Sequence, residues 1–174
     1  MRRLILLRHA KSDRPPGTAD EDRPLSERGA AAARLMGGYL ARHDLIPELI
    51  LCSPSRRTRD TLTEMVPQWS AGFAVDFDER LYLATARTLL GIVRAQPRKA
   101  AVVMVIGHNP GMHEAADQLI ASGDVALRER LQEKFPTSAL AVIDFAVADW
   151  SKLHDQSGRL DRFVTPRSIA AATS

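Results

Sequence analysis

Leu4-Ile5-Leu6-Leu7-Arg8-His9-Ala10 is an apolar run that ends abruptly in a guanidinium and an imidazole. A continuous apolar run this short reads as a buried strand near the start of the fold. Arg8 and His9 then fall at the strand's C-terminal end, the edge where open α/β sheets bind their ligands. A second run, Ala101-Val102-Val103-Met104-Val105-Ile106, ends the same way in Gly107-His108-Asn109-Pro110. Two strands that each deliver a histidine to one sheet edge predict a shared site.

Between and beyond these runs, strand and helix patterns alternate, which predicts an α/β fold with a largely parallel sheet. A polar loop over 11–24 leads to Leu25-Ser26-Glu27-Arg28-Gly29, where Ser26 suits a helix N-cap, and an alanine-rich helix continues to about His43. Leu49-Ile50-Leu51-Cys52 is the next strand. Ser53-Pro54 is expected to open the following helix, Ser53 as N-cap and Pro54 at the first helical position. Further on, the pattern predicts a short strand over 73–77 and helices over 85–95 and 111–121. A charged helical turn is expected over 128–134, with strands over 138–145 and 160–164. Residues 166–174 are small and polar and are expected to fray.

The 174 residues suffice for one domain with a proper core, and 45% hydrophobic with 26% charged residues is the composition of a globular protein. A net charge of +3 is too small to argue for nucleic acid, and 5% aromatics counts against a base-stacking platform. No stretch approaches the ~20 apolar residues of a membrane span. The apolar run after Met1-Arg2-Arg3 is too short for a signal-peptide core, so the expected location is the cytoplasm, with no membrane partner. The single cysteine, Cys52, excludes an intrachain disulfide and a cysteine-based metal cage. Arginine dominates the basic residues, and arginine favours bidentate recognition of phosphate or carboxylate.

Four residues carry the chemistry: Arg8, His9, Arg57 and His108. Arg57, just over one turn into its helix, can reach an anion held at that helix N-terminus. Arg8 approaches the same anion from the strand end. A histidine inside such a cage can attack phosphorus, because neutral imidazole, with a reference pKa of about 6.5, is a nucleophile near neutral pH. The surrounding positive charge stabilises the transferring phosphoryl group, with His108 donating to an equatorial oxygen. Arginines and a second histidine would do the electrostatic work of a metal, so no cofactor is expected. His108 and His113 stand five apart, off one helix face, and no His-Glu-x-x-His spacing occurs.

Three segments, in order, resemble the histidine phosphatase superfamily, and most closely its SixA-type phosphohistidine phosphatases. They are Leu6-Leu7-Arg8-His9-Ala10-Lys11-Ser12, Ser53-Pro54-Ser55-Arg56-Arg57-Thr58-Arg59-Asp60-Thr61 and Val105-Ile106-Gly107-His108-Asn109-Pro110-Gly111. The segment Asp22-Arg23-Pro24-Leu25-Ser26-Glu27-Arg28-Gly29 resembles the same group. The resemblance implies a three-layer α/β/α, phosphoglycerate mutase-like fold over residues 1–165. It implies His9 as the phosphorylated nucleophile, with Arg8, Arg57 and His108 completing the phosphate pocket. Arg23 is a candidate to extend that pocket, and Glu79, in Asp78-Glu79-Arg80-Leu81-Tyr82, is the candidate proton donor. A departing imidazole needs a general acid less than an alkoxide does, so an essential Glu79 would favour an ester substrate.

Arg57 and His108 lie 51 positions apart, which leaves little room for a lid and suits a phosphorylated side chain presented by another protein. The expected activity is therefore metal-independent hydrolysis of phosphohistidine on a partner protein. A phosphatase of small phosphate esters is the alternative, and a phosphate-binding module without turnover is a third reading. Cys52 reads as a small buried apolar residue, and His43 and His154 as surface residues.

Overall fold

The computed structural model describes residues 1–174. Its centre is a seven-stranded sheet with helices on both faces. The strands are β1 (Arg2–Arg8), β2 (Leu49–Cys52), β3 (Ala74–Phe77), β4 (Val102–Gly107), β5 (Ile120–Gly123), β6 (Leu140–Phe145) and β7 (Gly158–Val164). They lie in the order β3-β2-β4-β1-β6-β7-β5. Only β6 runs against the others, pairing antiparallel with β1 and β7. The two histidine-bearing strands are neighbours, paired parallel with Arg8 opposite Gly107.

Alternation along these strands divides the core. Leu4, Leu6, Val103 and Val105 point to one face, and Ile5, Leu7, Met104 and Ile106 to the other. The first face is covered by α3 (Ala86–Arg94), α4 (Gly111–Leu119) and α5 (Val125–Glu133), through residues such as Leu90, Ala115 and Leu131. The second is covered by α1 (Glu27–Arg42), α2 (Arg56–Met65) and α6 (Pro166–Thr173), through Met36, Met65 and Ile169. Strands buried on both sides explain why β1 and β4 read as unbroken apolar runs. Among the helices, none is long and apolar enough to cross a membrane.

Three expectations are corrected. Residues 166–173 do not fray: Thr165 caps α6 by accepting from the Ser168 N–H, Ser168 caps in return, and Ile169 is buried. Helix α2 begins at Arg56 rather than at Pro54, with Ser55 as the residue before its first turn, so Ser53 is not its cap. The helix expected over 111–121 ends at Leu119, and β5 follows it at the sheet edge, parallel to β7.

The polar loop after β1 is anchored at its far end. The Ser26 N–H donates to the Lys11 carbonyl at 3.0 Å, and Ser12 bridges Leu25. Gly29 makes this approach possible, since a Cβ there would lie 1.9 Å from the Lys11 carbonyl oxygen.

Candidate active site

The register of β1 against β4 sets the site. The His9 N–H donates to the Gly107 carbonyl at 3.1 Å, and the two imidazole centroids stand 5.3 Å apart. Helix α2 is latched to the same edge. The Ala10 N–H donates to Thr61 Oγ1 at 2.9 Å, and that hydroxyl donates to the Arg57 carbonyl at 2.6 Å. Arg57, the second residue of α2, is thereby carried to the strand ends and is only 3% exposed.

These elements enclose a cleft of about 300 Å³. Arg8, Lys11, Arg14, Arg23 and Arg57 line it together with His9 and His108, and no carboxylate is among its lining residues. Five of the six residues singled out from sequence thus meet here: Arg8, His9, Arg23, Arg57 and His108. Glu79 does not line the cleft. It is the exposed first residue of a short 3-10 turn over 79–81.

Hydrogen bonds fix the tautomer of each ring. His9 Nδ1 lies 2.7 Å from the Ala10 carbonyl oxygen, which can only accept, so Nδ1 carries the hydrogen and Nε2 the lone pair. His108 Nε2 lies 2.7 Å from Ser53 Oγ, while its Nδ1 faces Arg57 Nη2 at 3.4 Å. A guanidinium only donates, so Nδ1 bears the lone pair and Nε2–H donates to Ser53. Burial first, and then the cations Arg57, Arg8 and Arg23, hold the His9 pKa down at about 4. Burial, the neighbouring His9 and Arg57 hold His108 at about 3. Both rings are therefore neutral near pH 7, and His9 Nε2 has its lone pair free for bond formation.

The arginines are held less completely. Arg8 Nη1 donates to the Phe135 carbonyl at 3.1 Å, and burial lowers the pKa of its guanidinium. The Nε atoms of Arg8 and Arg57 are buried without a partner. Unsatisfied buried donors in a cationic cleft are the complement of an anion.

Asp20, Tyr82 and Ser53 were not anticipated from the sequence. Asp20 sits on a 3-10 turn over 20–22, within the polar loop. Its carbonyl accepts from Arg57 Nη1 at 2.7 Å, and its carboxylate accepts from Arg57 Nη2 at 3.1 Å, Arg23 Nη1 at 3.1 Å and the Tyr82 hydroxyl. Those bonds, the Tyr82 one foremost, hold the Asp20 carboxyl well below the usual carboxylate range. The Tyr82 ring meets His108 edge-on, with centroids 5.5 Å apart. Asp20 thus braces the outer edge of Arg57, and Ser53 braces His108. Their only sequence signal is placement: Ser53 directly follows β2, and Asp20 lies in the loop that β1 feeds.

The remaining polar candidates stand elsewhere. His113 Nε2 bonds the Leu131 carbonyl, His43 packs against Tyr39, and His154 is exposed. Cys52 is buried, which pushes its thiol pKa up to about 12. It is inert at neutral pH.

An α/β/α sandwich whose paired central strands present two neutral histidines within a ring of arginines defines a phosphoryl-handling protein. The sequence profile of the histidine phosphatase superfamily (branch 1) matches residues 4–82. An uncharacterized protein of Mycobacterium tuberculosis is 37% identical over 163 residues, covering 92% of this chain and all of that protein. Among solved structures, the SixA protein of Agrobacterium tumefaciens, assigned as a phosphohistidine phosphatase, superposes with a TM-score of 0.81 at 33% identity. That alignment covers 95% of this chain and 98% of the other. A mycobacterial glucosyl-3-phosphoglycerate phosphatase shares the fold alone, with a TM-score of 0.63 at 18% identity over 92% of this chain and 97% of its own. The chain belongs to the histidine phosphatase superfamily; it is a SixA-like phosphatase of phosphoglycerate mutase-like fold.

Proposed function

We propose that this phosphatase hydrolyses phosphohistidine on a partner protein through a phosphoryl-His9 intermediate. One observation carries the reading: the cleft offers five cations and two neutral imidazoles but no carboxylic acid. An alkoxide leaving group needs a proton as the P–O bond breaks, whereas an imidazole leaves a P–N bond with less help. Glu79 stands outside the cleft, and Asp20 is held ionised by Tyr82, Arg23 and Arg57.

In this reading the phosphoryl group enters between Arg8 and Arg57, and the phosphoryl oxygens take up their unsatisfied donors. The lone pair of His9 Nε2 forms the new P–N bond as the substrate's P–N bond breaks in line, and the substrate imidazole, protonated at its other ring nitrogen, keeps that electron pair and departs neutral. The dianion between the guanidiniums raises the affinity of His108 for a proton, so that Nδ1 takes one from solvent and donates it in a hydrogen bond to a phosphoryl oxygen. Water then attacks the phosphoryl-His9, which releases inorganic phosphate and regenerates the neutral ring.

The test is phosphate release, with chelator present, from a phosphohistidine-bearing protein and from a phosphomonoester. Rapid turnover of the first, abolished in His9→Ala and within about twofold of the parent in Glu79→Gln, is the expected result. Preferential ester hydrolysis that collapses in Glu79→Gln would make the protein a small-metabolite phosphatase. Equal rates for parent and His9→Ala would remove the mechanism.

A further inference from the structure

A second groove of about 470 Å³ opens beside the catalytic cleft and shares Lys11 and Thr137 with it. Its walls come from three helices. Arg28 stands in the first turn of α1, Arg130 and Lys134 come from the end of α5, and Arg167 from the start of α6. With Lys11 that makes five cations against one carboxylate, Glu133. None of the five has an ion-pair partner, although Arg23, Arg34, Arg56, Arg57, Arg80 and Arg94 are all paired.

The floor is tied to the catalytic strand. Ser138 holds a left-handed φ of 64° and donates its N–H to the carbonyls of both Arg8 and His9, each at 3.1 Å. Ser138 lines the groove, and its buried hydroxyl has no hydrogen-bond partner. The groove therefore has unneutralised charge on its rim and a floor joined to the end of β1, next to the cleft with which it shares Lys11 and Thr137.

On the reading given under Proposed function, we infer that this groove docks an acidic segment flanking the phosphohistidine of the partner protein. All five cations are exposed and reach in on long stems from separate elements, an arrangement that follows an extended chain of carboxylates. A small ligand's second phosphate calls instead for buried, fixed donors. Phe163 is 4% exposed and lies under Arg130, with the guanidinium 5.7 Å from its ring, so no base-stacking face is offered. None of the exposed large apolar residues lines the groove, which leaves nothing to insert into a membrane.

The experiment uses two synthetic phosphohistidine peptides that differ only in flanking glutamates or glutamines, and the variant Arg28→Gln/Arg130→Gln/Lys134→Gln/Arg167→Gln. The parent should turn over the glutamate peptide at least about tenfold better in kcat/KM, through KM, at low salt. That preference should vanish in the variant and at high ionic strength, while hydrolysis of phosphoramidate stays unchanged as the check on the intact site. An absent preference in the parent, or one retained in the variant, would overturn the docking surface. Affinity for the unphosphorylated glutamate peptide is measured in parallel. If no P–N substrate is hydrolysed at all, the proposed activity fails, and this binding arm still decides the groove. Binding of DNA or anionic vesicles that is stronger than binding of the acidic peptide, and lost in the variant, would also overturn it.

Discussion

At the residue scale, the proposed chemistry rests on keeping two resting imidazoles neutral inside a ring of cations. Because the His9 pKa is held at about 4, the acid limb of kcat/KM should lie near pH 4, well below the 6.5 of a free histidine. A rate profile from pH 3 to 8 checks this; a limb near 6.5 would mean that the cage does not act on His9. Ser53→Ala removes the acceptor that orients His108. Losing one such bond, worth about 1 kcal/mol, should lower kcat roughly fivefold with KM little changed. The two histidines and Arg8 were legible because each directly ends or follows an apolar strand, and Arg57 because it opens a helix. Asp20 and Tyr82 were not, since 62 positions separate them and only the folded loop brings carboxylate to hydroxyl. Glu79 was singled out through the family resemblance, yet the 3-10 turn leaves it exposed.

At the element scale, α6 is held by its capping box and by one buried side chain. Ile169→Ala should destabilise the protein by about 2–4 kcal/mol, measured as the shift of a urea midpoint at constant m-value. An effect below about 0.5 kcal/mol would mean that α6 is only loosely docked. The signals for this helix, a Thr165 cap and Pro166 at its first position, were present in the sequence, but the alanine, serine and threonine that follow obscured them. Strand β5 was illegible for a different reason. Ile120-Ala121-Ser122-Gly123 has one buried apolar side chain, and only its pairing with β7 makes it a strand. Gly29→Ala should tilt or displace the loop that carries Lys11 and Arg23 and lower kcat/KM while leaving the rest of the sheet folded; circular dichroism with kinetics checks both halves.

At the scale of the whole molecule, the site makes the fold acid-sensitive. Unfolded histidines take up protons near pH 6.5, whereas folded His9 and His108 do so only near 4 and 3. Their contribution to stability is therefore complete above about pH 6.5 and declines as pH falls below it, by up to about 1.4 kcal/mol per pH unit for each ring. Denaturant titrations from pH 7 to 4.5 should show this slope in the parent, and a much smaller one in His9→Ala/His108→Ala. Equal slopes would mean that both rings titrate normally in the folded protein. The overall α/β/α plan was readable from alternation of apolar runs and helical spacing. The reversed direction of β6 was not, because direction is decided by pairing partners and leaves no mark on composition.

His9 and His108 follow strands that lie side by side in the middle of a seven-stranded sheet, and the His9 amide closes the last rung between them. Parting those two strands separates the histidines and must end activity, whereas α6 and β5, which place no residue in the cleft, can open without doing so. Amide exchange at His9 would then report the opening of the strand pair on which activity depends.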